Sequence, residues 1–259
     1  MAIVGAFATS HAYTFQEPET WDKRRLRSRT NVAGKNAGRL AEDTAEAQAE
    51  TLEDNRERYA PIREAHEKIR AKLEQLKPDA VLLIGDDQTE NYTTENIPQF
   101  LIYTGDDYLA DDWDRKHSAT IANHPQIARA LVEGAMDEGF DVSWATSFKD
   151  GRLSSHAHTE PILYLMGTTP AVPVFVNAVH PPAPSPARCY AFGQALRRVM
   201  DKRLADKRIV LCASGGLSHF SPSHPWAHHV GSRYVGDISV EFDRRAIGWM
   251  NAGEGHRLA

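Results

Sequence analysis

Four short polar clusters hold the residue types from which a reaction centre can be built. They are Ser10-His11, Asp86-Asp87-Gln88, Ser155-His156 and Ser218-His219. Imidazole binds metals and moves protons near neutral pH. Aspartates and amides grouped at a strand terminus are common metal-shell material. Convergence of the four in one cleft would supply both metal binding and proton transfer. Each cluster also has a plainer use. Two adjacent aspartates form turns, and a lone histidine after a first strand is often a hydrogen-bonded structural residue. His156 and His158 lie two apart and point to opposite sides if extended, so one in a site and one structural is expected.

The elements that must position these clusters can be read from the pattern around them. The strand-forming run Arg208 to Ala213 leads into Ser214-Gly215-Gly216-Leu217-Ser218-His219. Its two glycines allow a tight turn. The turn delivers Ser218 and His219 at a strand end, where open α/β sheets place their sites. Residues 2–8 read as a strand that opens onto His11, and Ala80 to Ile84 as a buried strand that opens onto Asp86. Between them, Tyr59, Ile62, Ile69, Leu73 and Leu76 mark one face of an amphipathic helix over 56–76, with His66 as a structural residue. Residues 14–55 are polar and read as an insertion or arm. Further strands are expected at 99–103, 141–146 and 171–179, and helices at 125–138, 187–203 and 231–250; the acidic stretch 106–114 reads as loop. The alternation implies an α/β chain, a single layered domain over 1–259 with a mixed sheet and helices on both faces.

Several function classes are excluded by what is missing. No G-x-S-x-G elbow, Walker A loop, strand-linked G-x-G-x-x-G or H-E-x-x-H occurs in the 259 residues. The net charge of -5 argues against nucleic acid or an acidic membrane surface as partner. The two cysteines, Cys189 and Cys212, lack metal-site spacing and suit a reducing compartment. No apolar run approaches the length of a membrane span, and the N-terminus lacks a signal-like pattern. A cytoplasmic protein is expected.

Taken together and in order, these segments resemble the class III extradiol ring-cleavage dioxygenases of the protocatechuate 4,5-dioxygenase β-subunit type. The matching pieces are Thr9-Ser10-His11, Gly85-Asp86-Asp87-Gln88, His156 five residues before Pro161, and Phe175 to Val179 with its proline loop. Arg188 to Gly193 and Ser214 to His219 complete the set. The resemblance implies a non-haem Fe(II), with Mn(II) as the alternative, held by two histidines and a glutamate; anionic oxygen and neutral imidazole suit that ion. Carried over by position, His11 is the first ligand, His219 the acid–base residue and His156 a catalytic residue lining the pocket. Ser218, Asn177, His158 and Arg188 are then substrate-side residues. The partners implied are a small catechol-type aromatic acid and O2, with a homo-oligomer or a small partner subunit. Two departures stand out. Gln88 occupies the second histidine position, so the metal would use its amide or recruit Asp87 or Glu90. The family's glutamate lies beyond the last helix, and this sequence ends at Ala259, short of it. Those departures motivate two other readings: a non-catalytic aromatic-binding or assembly homologue with a degenerate metal site, and a metal-dependent hydrolase on the same scaffold.

Overall fold

The computed structural model describes residues 2–27, 45–112, 114–218 and 238–259. Its central feature follows from two strands with continuous apolar character. β2 (Ala80–Gly85) and β8 (Ala171–Val176) are buried along nearly their whole length, as strands covered on both faces must be. They pair in parallel, and β2 also pairs in parallel with β9 (Ile209–Ser214), which pairs in parallel with β1 (Ile3–Thr9). β3 (Phe100–Tyr103) adds to β8 in the antiparallel sense, and β6 (Ser143–Ala145) closes the order β1-β9-β2-β8-β3-β6. Pro173 lies one residue beyond the last β8–β3 pair, where the ladder does not need an N–H.

Helices cover both faces, as expected. On one side α3 (Pro125–Asp137) and α5 (Pro186–Arg203) pack Ile127, Leu131, Phe192, Leu196 and Val199 over Leu82, Val172 and Val174. On the other side α2 (Leu52–Leu76) and α4 (His156–Leu165) set Leu73, Ile162 and Leu165 against Val81, Leu83 and Val210. α2 starts four residues earlier than its apolar spacing suggests. Thr51 and Asp54 form a reciprocal capping box there. Two further helices are α1 (Ala45–Ala49) and α6 (Val240–Asn251). Residues 231–237 of the expected final helix lie outside the described residues. No described helix is long and apolar enough to cross a membrane.

One expectation is overturned. The acidic stretch after Asp106 holds a strand, β4 (Tyr108–Asp111), which pairs with β5 (Ser118–Ile121) and β7 (Arg152–Leu153) in a second, three-stranded sheet. Its inward residues Tyr108 and Ala110 are buried, and the Asp111 carboxylate is held by Arg152 and Ser118. Charge neutralised by a neighbouring strand is compatible with a ladder, whatever the local composition suggests.

The register matters most for function. Thr9 pairs with Ser214, Ile84 with Ala213, and Gly85 with Phe175. The four parallel strands therefore end level, and their loops emerge at one edge. Gly85 sets the last step of β2. A β-carbon there would stand 3.0 Å from the His158 ring and 3.2 Å from Ala157 Cβ, both fixed in the core. Gly85→Ala is expected to cost about 1–3 kcal/mol through overpacking, measurable as a lower urea midpoint with unchanged slope.

Candidate active site

His11 follows β1 directly, and its position is set by the neighbouring strand. Its Nδ1 lies 3.2 Å from Ser214 Oγ at the end of β9, and the Gly215 N–H donates to Thr9 O at 3.1 Å. The ring is buried. The same loop is fastened to α4 further along. Gln16 Nε2 donates to Glu160 Oε2 at 3.3 Å and to Tyr164 Oη at 3.1 Å. Phe15 stacks between His66 and Tyr164, which gives His66 the structural role expected for it. Burial, followed by the charge of Glu160, pushes the Tyr164 hydroxyl up to about 12.

His156 opens α4 and meets His11 edge to face, with ring centroids 4.8 Å apart and planes at 86°. Its Nδ1 donates to Glu90 Oε1. That contact is built by a stitched loop. The Asp87 carboxylate accepts the backbone N–H groups of Glu90, Asn91 and Tyr92 at 3.0–3.2 Å. Asn91 Oδ1 accepts the N–H groups of Ser154 and Ser155, each at 2.9 Å. Ser155 Oγ donates to Asp86 O at 2.8 Å. Thr89 sits at φ 74° between Gln88 and Glu90, a conformation that a β-branched residue rarely adopts, and functional loops are where such strain collects.

These groups perturb one another. Burial disfavours a charged His156, but the hydrogen bond and charge of Glu90, with Asp86 and Glu160, outweigh it and raise its pKa. Asp87 is pushed up to about 6 by burial and then by the charge of Glu90, against its three N–H donors. A carboxylate occupied by three backbone donors is the brace of its loop, and this is where the structure leaves Asp87 as a ligand candidate. Gln88 donates its side-chain amide toward Asp86 Oδ2 at 3.4 Å.

Residues 46–253 match the family described as "Catalytic LigB subunit of aromatic ring-opening dioxygenase". The chain belongs to that family. It is similar to a 2,3-dihydroxyphenylpropionate/2,3-dihydroxicinnamic acid 1,2-dioxygenase of Comamonas testosteroni, 29% identical over 164 residues, covering 61% of this chain and 49% of that one. A Pseudomonas putida relative with the same activity in its name is 30% identical over 156 residues, 59% of this chain and 47% of its own. A Rhodococcus globerulus relative is 29% identical over 168 residues, 63% and 50%. The chain spans about half the length of these curated relatives.

His158 is fully enclosed, with Nδ1 3.0 Å from Ser155 Oγ, Nε2 3.1 Å from Val174 O, and its ring against Phe175. Burial lowers its pKa to about 4. It is a core residue behind the cleft, which replaces the substrate contact expected of it. Ser218 is tied to the start of α6: its N–H donates to Asp243 at 2.8 Å and its Oγ accepts the Ser239 N–H at 2.7 Å. Asn177 braces the proline loop, exchanging hydrogen bonds with the His180 backbone at 2.7 and 2.9 Å. It also lines a small cavity with Asp87, Tyr92, Phe175 and His180. Arg188 lies over the Phe140 ring at 3.8 Å and donates to Gly139 O. His219 lies outside the described residues. Gln16 and Glu160 join the site without having been singled out, and Ser214, read as the start of its turn, gains a role beside His11. The one available signal for Glu160 was a glutamate directly before the apolar residues that end α4 (His156–Leu165).

A family metal must be judged against these donors. Among the described residues, no three or more His, Cys, Asp or Glu side chains form an assembled metal-holding group. His11 and His156 stand ring against ring and His156 bonds Glu90, so donor types that suit Fe(II) are present without being assembled round one point. The His11 ring is positioned by Ser214, whose Oγ lies 3.2 Å from its Nδ1, as partners outside a metal shell orient ligating histidines.

Proposed function

We propose that this protein is an extradiol dioxygenase that opens the ring of a catechol-type aromatic acid with O2, using Fe(II). The observation that carries the proposal is the His11–His156 pair, at the edge where four parallel strands end, in a chain of the ring-opening family. The relatives named for dihydroxyphenylpropionate, a catechol with an acid side chain, support the substrate class.

In this reading His11 would hold the metal, with its ring positioned by Ser214 Oγ 3.2 Å from Nδ1. When bound, the ion supplies a shared coordination site for the catechol oxygens and O2. His156 borders the same space, its ring orientation fixed by Glu90. His219 is assigned the proton held at the substrate hydroxyl and returned on ring opening. Phe175 and Val174 are buried behind the loops, with the hydrogen-bonded His158 ring packed against Phe175. Both atoms of O2 enter the opened product.

The test is anaerobic loading with Fe(II), then oxygen-electrode assays on a catechol panel that includes 2,3-dihydroxyphenylpropionate and protocatechuate. Oxygen uptake with a new product absorbance is expected on at least one. Iron-loaded protein that consumes no oxygen on any of them refutes the proposal. The neutral Gln88 favours a second reading, a homologue that binds aromatics without turning them over; stoichiometric iron in freshly purified protein would exclude it.

A further inference from the structure

We infer that the outer edge of β1 is the seam between two copies of this chain. The two β1 strands pair antiparallel about a two-fold axis at Ala6, and two six-stranded sheets become one.

Three observations lead there. First, β1 is an edge without the usual protection. It ends the sheet order β1-β9-β2-β8-β3-β6. Its seven residues, Ile3-Val4-Gly5-Ala6-Phe7-Ala8-Thr9, include no charge and no proline. Edge strands are normally blunted by charge, proline or shortness, because their unpaired amides template another strand. The opposite edge, β6, is blunted by its length of three residues. In β1, Ala6 and Ala8 are exposed.

Second, the backbone groups are set for such a pairing. Thr9 O accepts the Gly215 N–H, so Thr9 faces β9. In a parallel ladder alternate residues turn both polar groups to the same neighbour. Thr9, Phe7 and Gly5 therefore serve β9, and the N–H and C=O of Ala6 and Ala8 point away from it. These outward groups have no partner strand among the described residues. With the axis at Ala6, the two Ala6 residues exchange both hydrogen bonds, and Ala8 of each copy faces Val4 of the other.

Third, the side chains fit their own copies. Gly5 and Phe7 lie on either side of Ala6 and on the α2 face of the sheet. A β-carbon on Gly5 would stand 2.8 Å from Leu76 Cδ1, and Phe7 packs against the cluster that holds Leu73 and Ile69. The two-fold sets Gly5 of each copy opposite Phe7 of the other, in the kind of pair where side chains approach most closely. An aromatic ring laid over a glycine is a known way to cover a weak point in a sheet. Space for it exists. A cavity of about 240 Å³ lies between β1 and α2, walled by Phe7, Ile69, Leu73 and Leu76 among others. Lys68 and Lys72 at its rim are occupied within α2, by Glu64 at 2.6 Å and Gln75 at 3.0 Å, so the walls call for an apolar occupant. The same hole and the same ring recur on both sides of the axis, as a self-complementary interface requires. That symmetry selects a second copy over an unrelated peptide.

The test is sedimentation velocity on the full chain over a range of micromolar concentrations, with hydrogen exchange read at single amides. Wild type is expected to sediment as a dimer, with the Ala6 and Ala8 amides protected and the protection lost on dilution. Ala6→Pro removes a donor that β9 does not use, a change that an edge strand tolerates. Ala6→Lys sets two like charges face to face across the axis. Each should raise the dimer dissociation constant about tenfold or more, with the far-UV circular dichroism of the folded chain retained. Should Ala6→Pro misfold, Ala6→Lys decides alone, since position 6 is exposed. A monomeric wild type, a dimer that the folded variants leave intact, or fast exchange at Ala6 and Ala8 within the dimer overturns the inference.

Discussion

Alanine at His219 is expected to slow ring opening by about 10²–10⁴-fold, the usual contribution of a general acid–base group, with metal affinity unchanged. Alanine at His11 is expected to remove metal and turnover together. The contrast comes from what each residue is attached to. His11 lies beside a serine on the adjacent strand, at the level where the parallel strands end, and is the residue proposed above to hold the metal. His219 follows Ser214-Gly215-Gly216-Leu217-Ser218, a turn whose near end is paired with Thr9 and whose far end is pinned to Asp243 and Ser239. The proposed function gives the proton to His219 and the metal to His11, and the two variants separate those roles. Oxygen-electrode turnover and calorimetric metal titration on the same preparations separate the roles. If His219→Ala loses metal as completely as His11→Ala does, His219 belongs to the metal shell.

The parts of this site that the sequence revealed were those signalled by backbone chemistry. Apolar runs ending in glycine or aspartate mark buried strands and their loops, so the positions of His11, Gly85 to Gln88 and Ser214 to Ser218 were legible. The His156/His158 division was legible too, although for a segment read as extended. The segment is helical, and two residues in a helix still differ by about 200°, so one ring reaches the cleft and the other the core. What stayed hidden depended on partners distant in sequence. β4 was masked by its own aspartates, because the Arg152 that neutralises Asp111 is 41 residues away. Arg188 looked available for an anionic substrate until Phe140 and the Gly139 carbonyl took it. Glu90 was visible as one acid among several near Gln88, but only the seam from Asn91 to Ser154 and Ser155 carries it to His156. Local pattern reports where a loop emerges. It does not report which of the loop's side chains meets another loop.

Two buried groups one loop apart should pull acid stability in opposite directions, and a variant of each should reveal the other's slope. His158 titrates at about 4 in the fold against an ordinary 6.5. Between those values the unfolded chain binds a proton that the native ring refuses, so this residue's contribution is full above pH 6.5 and falls away toward pH 4. The loss is about 3 kcal/mol if the whole shift is realised. Asp87 works in the opposite sense. Its carboxyl is raised to about 6 from 3.8, so the native state holds a proton that the unfolded chain has released. Its contribution is full below 3.8 and is lost as pH rises through 6, by a similar amount. Over pH 4 to 6 the two slopes oppose. Asp87→Asn keeps an acceptor for the loop N–H groups and should expose the His158 slope, with the melting temperature falling as the solution is acidified. His158→Gln keeps a donor for Val174 O and should expose the Asp87 slope, with the melting temperature rising on acidification. For a chain of this size each kcal/mol corresponds to about 2–4 °C, so thermal melts of metal-free protein followed by circular dichroism from pH 4 to 7 resolve both. Slopes of the same sign in the two variants would mean that these residues do not hold the charge states their surroundings dictate.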